Sequence, residues 1–150
     1  MIETTDPRPA QGFNIAGAVA AVGGVAMVVG STQEWATFSG GTLMSLIDRT
    51  GIELGFGILT LLCGIGVGLI GFDAARSGGV TRFRRWAVVL SIIGLAIVVL
   101  AYAMLAVPIG EMYSEFGGFL SHGEALHAVG IGAATSAIAA WTLATDPNSA

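Results

Sequence analysis

Four apolar runs, at 13–30, 54–72, 87–107 and 125–144, constrain this chain more than any other feature in it. Each is close to the roughly 20 residues that cross about 30 Å of hydrocarbon at 1.5 Å per residue. No charged residue falls in the central part of any run. Backbone amides find no water at that depth, so helices are the spanning form, and the lack of strict alternation excludes barrel strands. Composition agrees: 11% of residues are charged and the mean hydropathy is +0.81, whereas soluble domains carry about 25% charged residues. The expected fold is therefore all-α, a four-helix transmembrane bundle over 12–145. The flanking tails, 1–11 and 146–150, are polar, contain proline and are too short to fold alone, so disorder is expected there.

Arginine placement sets the expected orientation. Arg76, Arg82, Arg84 and Arg85 crowd between the second and third runs, whereas the two loops on the other side hold only Arg49. The basic loop is read as cytoplasmic. An even number of crossings then puts both termini in the cytoplasm and faces 31–53 and 108–124 outward, in a multi-pass protein of the cell inner membrane. Trp86 at the inner edge, and Trp35, Tyr102 and Tyr113 near the outer face, suit interfacial anchoring. A cleaved leader is not expected, because 1–11 contains Glu3, Asp6 and Arg8 and is net acidic, and a secretory signal wants a positive start. With ten acidic against six basic residues the net charge is -4, so no basic field exists to attract nucleic acid.

Lipid tails are as apolar as leucine, so helices in a bilayer associate where small residues let backbones approach. Gly17, Ala20, Ala21 and Gly24 make one such stripe in the first span. In the second, Gly64 and Gly68 lie four apart, with Gly51, Gly55, Gly57, Gly66 and Gly71 nearby. Ala128, Gly132, Ser136 and Ala140 make another in the fourth. These stripes are expected to meet inside the bundle, with self-association or a partner subunit as the alternative use. The third span, rich in Val, Ile and Leu with Gly94 as its main small residue, is expected to face lipid most. A faint duplication is also visible: each half is a helix, a loop with an aromatic and a glycine pair (Gly40 and Gly41; Gly117 and Gly118), and a small-residue helix returning.

Intramembrane ionisable groups mark ion pathways and substrate sites, and none occurs in mid-membrane here. Pump or secondary-transporter function is disfavoured accordingly. Thr60, Ser91, Thr135 and Ser136 are read as bonding to their own helix carbonyls. Cys63 lies inside a span and is read as a small buried hydrophobe; alone, it forms no intrachain disulfide or cysteine metal cluster. The most chemically suggestive cluster is outside the membrane: Glu111, Glu115, His122, Glu124 and His127. Glu111 and Glu115 share a helix face, and Glu124 with His127 has the i, i+3 spacing of carboxylate-bridged di-iron sites. Such sites need a second pair, and zinc needs a rigid frame that a loop with Gly117, Gly118 and Gly123 does not offer. The cluster is thus a metal candidate set against ordinary solvated acids. Within the same loop Ile109, Met112, Tyr113, Phe116, Phe119 and Leu120 recur at helical spacing, which describes a short amphipathic helix capping the bundle. Trp35, Phe38, Leu43, Met44, Leu46 and Ile47 make the first outer loop too apolar for a solvated one. They pack on the second loop as a lid, dip into the interface, or contact another protein.

The tryptophan in the first outer loop, the arginine-rich inner loop and the glycine-rich second and fourth spans together resemble the uncharacterised small four-helix integral membrane proteins of actinobacteria. The likeness covers the whole chain as a layout and carries no functional residues over. Claudin-like proteins have a similar topology, but the paired cysteines of their first outer loop are missing. No phosphate loop, nucleophile elbow or zinc-protease signature is present. The expectation is a non-enzymatic structural or accessory protein without a cofactor, held in the lipid bilayer and acting through small-residue helix faces and outer loops. A lipid-, small-molecule- or metal-handling protein using the outer Glu/His cluster is the alternative.

Overall fold

The computed structural model describes residues 13–39, 49–52, 55–79, 82–106 and 119–145. In chain order these form α1 (Ile15–Ser31), β1 (Glu34–Ser39), β2 (Arg49–Thr50), α2 (Phe56–Arg76), α3 (Arg84–Ala106), β3 (Phe119–His122) and α4 (Glu124–Thr145). The helices α2, α3 and α4 have the length and apolarity to cross a membrane, and α1 is a shorter apolar helix of 17 residues. At 1.5 Å per residue α1 rises about 25 Å, the short end of what a bilayer core takes. It packs along both α2 and α4, and α3 completes the ring against the same two helices. The result is a four-helix membrane-spanning bundle.

Local sequence sets the helix ends. Asn14 caps α1, its Oδ1 accepting from the Gly17 N–H at 2.9 Å, while its own N–H donates to Ala75 O at 3.1 Å and so ties the start of α1 to the end of α2. At the end of α2 the chain turns through Gly78 and Gly79, both at positive φ, and Gly79 N–H donates to Ala74 O at 2.8 Å. This is the Schellman closure, which needs a residue free of the Cβ penalty. Since α2 runs to Arg76 and α3 begins at Arg84, the connection between them is shorter than the sequence implied, and Arg76, Arg84 and Arg85 sit on helices.

Small residues bring α1 and α2 together. A Cβ built on Gly24 would lie 2.5 Å from Gly68 N and 2.7 Å from Gly64 O, and one on Gly71 would lie 2.8 Å from Gly17 O. Gly17 abuts the backbone of Ala74 and Ala75 in the same way. On the other side of α1, Gly132 lies against Gly23 O and Ala26, and the Ser136 hydroxyl donates to Ala20 O at 3.3 Å. Ser136 thus bonds across helices rather than to its own, because Gly23 leaves room for the hydroxyl to reach the α1 backbone. Ala128, taken with the α4 stripe in the sequence, is exposed; the buried face instead runs through Val129, Gly132, Ala133, Ser136, Ala139, Ala140 and Leu143. The most apolar window of α3 is 28% buried, against 39% for those of α2 and α4, so α3 gives most surface to lipid.

At the end of the bundle where α1 stops and α2 begins, the α1–α2 and α3–α4 connections contribute a three-stranded antiparallel sheet in the order β2-β1-β3. In β1, Ala36, Thr37, Phe38 and Ser39 pair with His122, Ser121, Leu120 and Phe119 of β3. Phe119 and Leu120 therefore belong to a strand and not to an amphipathic helix, because pairing with β1 satisfies their backbone groups where a helix would leave β1 with an open edge. The rest of that expected helix, 109–118, lies outside the described residues, as do Leu43, Met44, Leu46, Ile47 and the terminal tails.

Candidate functional site

Trp35 is the hinge between sheet and bundle. Against β2, Glu34 pairs with Thr50 and Ala36 with Arg49, leaving Trp35 as the extra residue of a bulge. Bulges re-aim a side chain, and this one is fully buried, within the cluster that contains Met27, Leu126, Val129 and Ala133. Its indole N–H donates to Gly30 O at 2.9 Å, a last-turn carbonyl of α1 that also accepts from the Gln33 N–H. The sequence reading of Trp35 as an interfacial anchor is corrected: the bulge points it into the core. Gly51 lies flat on the indole, where a Cβ would meet Nε1 at 2.6 Å. Gly123 lies on the backbone of Glu34 and Trp35 and donates its N–H to Trp35 O at 2.8 Å. The α1–α2 and α3–α4 connections thus both close on one residue, Gly51 against its indole and Gly123 against its backbone.

Beneath this plug two hydroxyls meet. Ser31 Oγ and Thr60 Oγ1 lie 2.8 Å apart, and each also reaches a carbonyl of its own helix, Met27 O and Gly57 O. Thr135, exposed, donates to Ile131 O at 2.7 Å, the ordinary local bond. Ser91 is fully buried on α3 and its hydroxyl has no hydrogen-bond partner, unlike the local bond its sequence position suggested. Cys63 is buried in the same core cluster as Met27 and Trp35. Among the described residues the buried polar side chains are Ser31, Thr60, Ser91 and Ser136, with no ionisable group among them.

The outer Glu/His set is placed in part. Glu111 and Glu115 lie outside the described residues. His122 ends β3 opposite Ala36, and Glu124 opens α4, where its charge favours the helix N-terminus. His127 stands exposed on α4; its ring meets Tyr102 edge-on at 5.4 Å between centroids, and Nδ1 lies 3.3 Å from Gly123 O. Tyr102 and His127 thereby pin α3 to α4 just below the lid. Among the described residues no three His, Cys, Asp or Glu side chains converge as a metal site requires.

At the opposite end the aromatics face outward. Phe13, Phe72, Phe83, Trp86 and Trp141 are all more than half exposed, and Arg76, Arg82 and Arg85 are exposed at the same end. Aromatic side chains at this level with cations just beyond them form an interfacial belt. Trp86 is exposed near the start of α3, and Trp141 is exposed near the end of α4. Comparison of the chain with protein-family models, curated proteins and solved structures found no match.

Proposed function

We propose that the protein is a non-enzymatic structural or accessory component of the inner membrane, with both termini in the cytoplasm and a lid facing outward. It acts through its surfaces, by helix faces and lid contacts. The observation that carries this reading is the closed outer end. Trp35 fills the mouth of the bundle and the two loops are joined over it by β1 and β3, so the described interior offers four hydroxyls and the Cys63 thiol, with no carboxylate, imidazole or cation among its buried side chains. A paired sheet is a surface to dock against. The orientation rests on Arg76, Arg82, Arg84 and Arg85 at one end and on the aromatic belt beside them. Membership of the small four-helix proteins of actinobacteria accords with the same layout.

The test is site-specific photocrosslinking in cells from position 33, where Gln33 is exposed next to β1, in otherwise native protein and with Trp35→Ala. One discrete adduct with another membrane or envelope protein, lost when Trp35→Ala releases the lid, is the expected result. A monodisperse monomer in mild detergent with no adduct in cells contradicts the proposal. Impermeant thiol labelling of Gln33→Cys but not Ser77→Cys, each in a Cys63→Ala background, is expected from the orientation; the reverse pattern overturns it.

A further inference from the structure

The lipid-facing side of the α1/α2 seam is not flush. Between Val22, Val25 and Val28 of α1 and Ile65, Leu69 and Phe72 of α2 runs a groove of about 500 Å³, floored by Ala21, Gly64 and Gly68 and almost purely apolar. Gly68 lines the groove without filling it. A Cβ there would meet only Ala21 O, at 3.9 Å, although the same seam rejects a Cβ on Gly24. Phe72 ends the groove and also lines a second, polar pocket with Asp73, Arg76 and Ser77. The Arg76 guanidinium sits over the Phe72 ring at 5.5 Å. Among the described residues no ion pair joins Arg76 to Asp73, so a cation and a carboxylate are presented separately at the mouth of an apolar channel.

We propose that the groove and pocket together bind one phospholipid whose headgroup carries both a phosphate and a primary ammonium. The phosphate meets Arg76, the ammonium meets Asp73, and an acyl chain lies along Gly68 toward Gly64. Length favours lipid over a helix from a second copy. From Phe72 to Gly64 the groove spans about 12 Å at 1.5 Å per residue, which fits inside one leaflet's half of the ~30 Å hydrocarbon. A partner helix would need a seam through both leaflets. Level favours it too, since the pocket sits with the belt of Phe13, Trp86 and Trp141 at headgroup depth. Charge selects the headgroup: phosphatidylglycerol brings Arg76 its phosphate but Asp73 no cation, and a quaternary ammonium offers Asp73 no N–H to accept from. This inference goes beyond the surface role proposed above and stands or falls separately from it.

The test is native mass spectrometry of the full-length protein, stripped of lipid and titrated with phosphatidylethanolamine, phosphatidylglycerol and phosphatidylcholine of identical chains, and with soluble phosphoethanolamine. One phosphatidylethanolamine per chain, retained about fivefold over the others, is expected, the ratio given by ~1 kcal/mol of headgroup attraction. Soluble phosphoethanolamine binds far more weakly, because it lacks the chain. Arg76→Gln lowers all three lipids, since each carries the phosphate, Asp73→Asn abolishes the preference for phosphatidylethanolamine over the other two, and Gly68→Leu again lowers all three. Arg82→Gln, in the adjoining turn, changes nothing. Equal retention of the three lipids, a preference that survives Asp73→Asn, retention indifferent to Gly68→Leu, or a dimer that Gly68→Leu dissociates would each overturn the proposal.

Discussion

Gly24 and Gly68 touch one another across the α1/α2 seam, yet alanine should act in opposite directions at the two positions. At Gly24 the new methyl would lie 2.5 Å from Gly68 N and 2.7 Å from both Gly64 O and Gly68 Cα. All three are backbone atoms on a facing helix, so no rotamer change relieves them. Restoring an ordinary separation of about 3.5 Å means parting the helices by roughly 1 Å, and a gap of that size forfeits a quarter to a half of each pair's dispersion well. Overpacking of this kind costs about 1–3 kcal/mol, offset by up to ~1 kcal/mol from replacing glycine in a helix. With that offset Gly24→Ala should destabilise, by up to about 2 kcal/mol. At Gly68 the methyl meets a single atom at ordinary contact distance, 3.9 Å, so Gly68→Ala should be neutral or stabilise by up to ~1 kcal/mol. Reversible unfolding in bicelles, followed by steric trapping or by detergent titration, measures both. Equal effects, or a greater loss at Gly68, would refute the seam geometry.

The plug and the hydroxyls give further predictions. Trp35→Phe keeps most of the buried ring and loses only the bond to Gly30 O, which still accepts from Gln33 N–H at 3.2 Å; about 1 kcal/mol is expected, against roughly 3–5 for Trp35→Ala, by the same unfolding assay. Ser136→Ala removes a bond across helices and should cost about 0.6 kcal/mol, the usual size in membranes. Ser91→Ala removes a buried hydroxyl that has no partner, so it should be neutral or stabilising; a loss above ~1 kcal/mol would mean that Ser91 is bonded after all.

The bundle was legible in the sequence because spanning length and small-residue spacing are local signals. Gly24, Gly64, Gly132 and Ser136 could be placed on helix faces without knowing what they face, and a run such as 87–107, with Gly94 its single glycine among Val, Ile and Leu, announces its own exposure to lipid. The lid was legible only as an excess of apolar side chains. Its sheet depends on β1 meeting β3, a pairing between segments far apart in the chain, and neither strand is long enough to show a period of two. Phe119 and Leu120 fitted a helical spacing equally well, and backbone pairing decided between the two. Trp35 was misplaced for a related reason: tryptophan near a span end is ordinarily an anchor, and only the bulge opposite Thr50 and Arg49 turns it inward. Phe72 and Arg76 read separately as an apolar residue and a topology signal. Their joint role at the groove mouth needs the angle between α1 and α2, which no single helix encodes.

The central claim is that the two outer loops form one lid, and pairing between β1 and β3 tests it most directly. Thr37 and Ser121 are register partners, and directly opposed residues of antiparallel strands hold their Cβ atoms about 4.5–5.5 Å apart, within reach of a disulfide under mild oxidation. Thr37→Cys/Ser121→Cys, in a Cys63→Ala background and in native membranes, should crosslink within the chain, while Phe38→Cys/Ser121→Cys, one register step off and on opposite faces of the sheet, should not. Equal crosslinking of both pairs, or none at Thr37 and Ser121, would contradict the account.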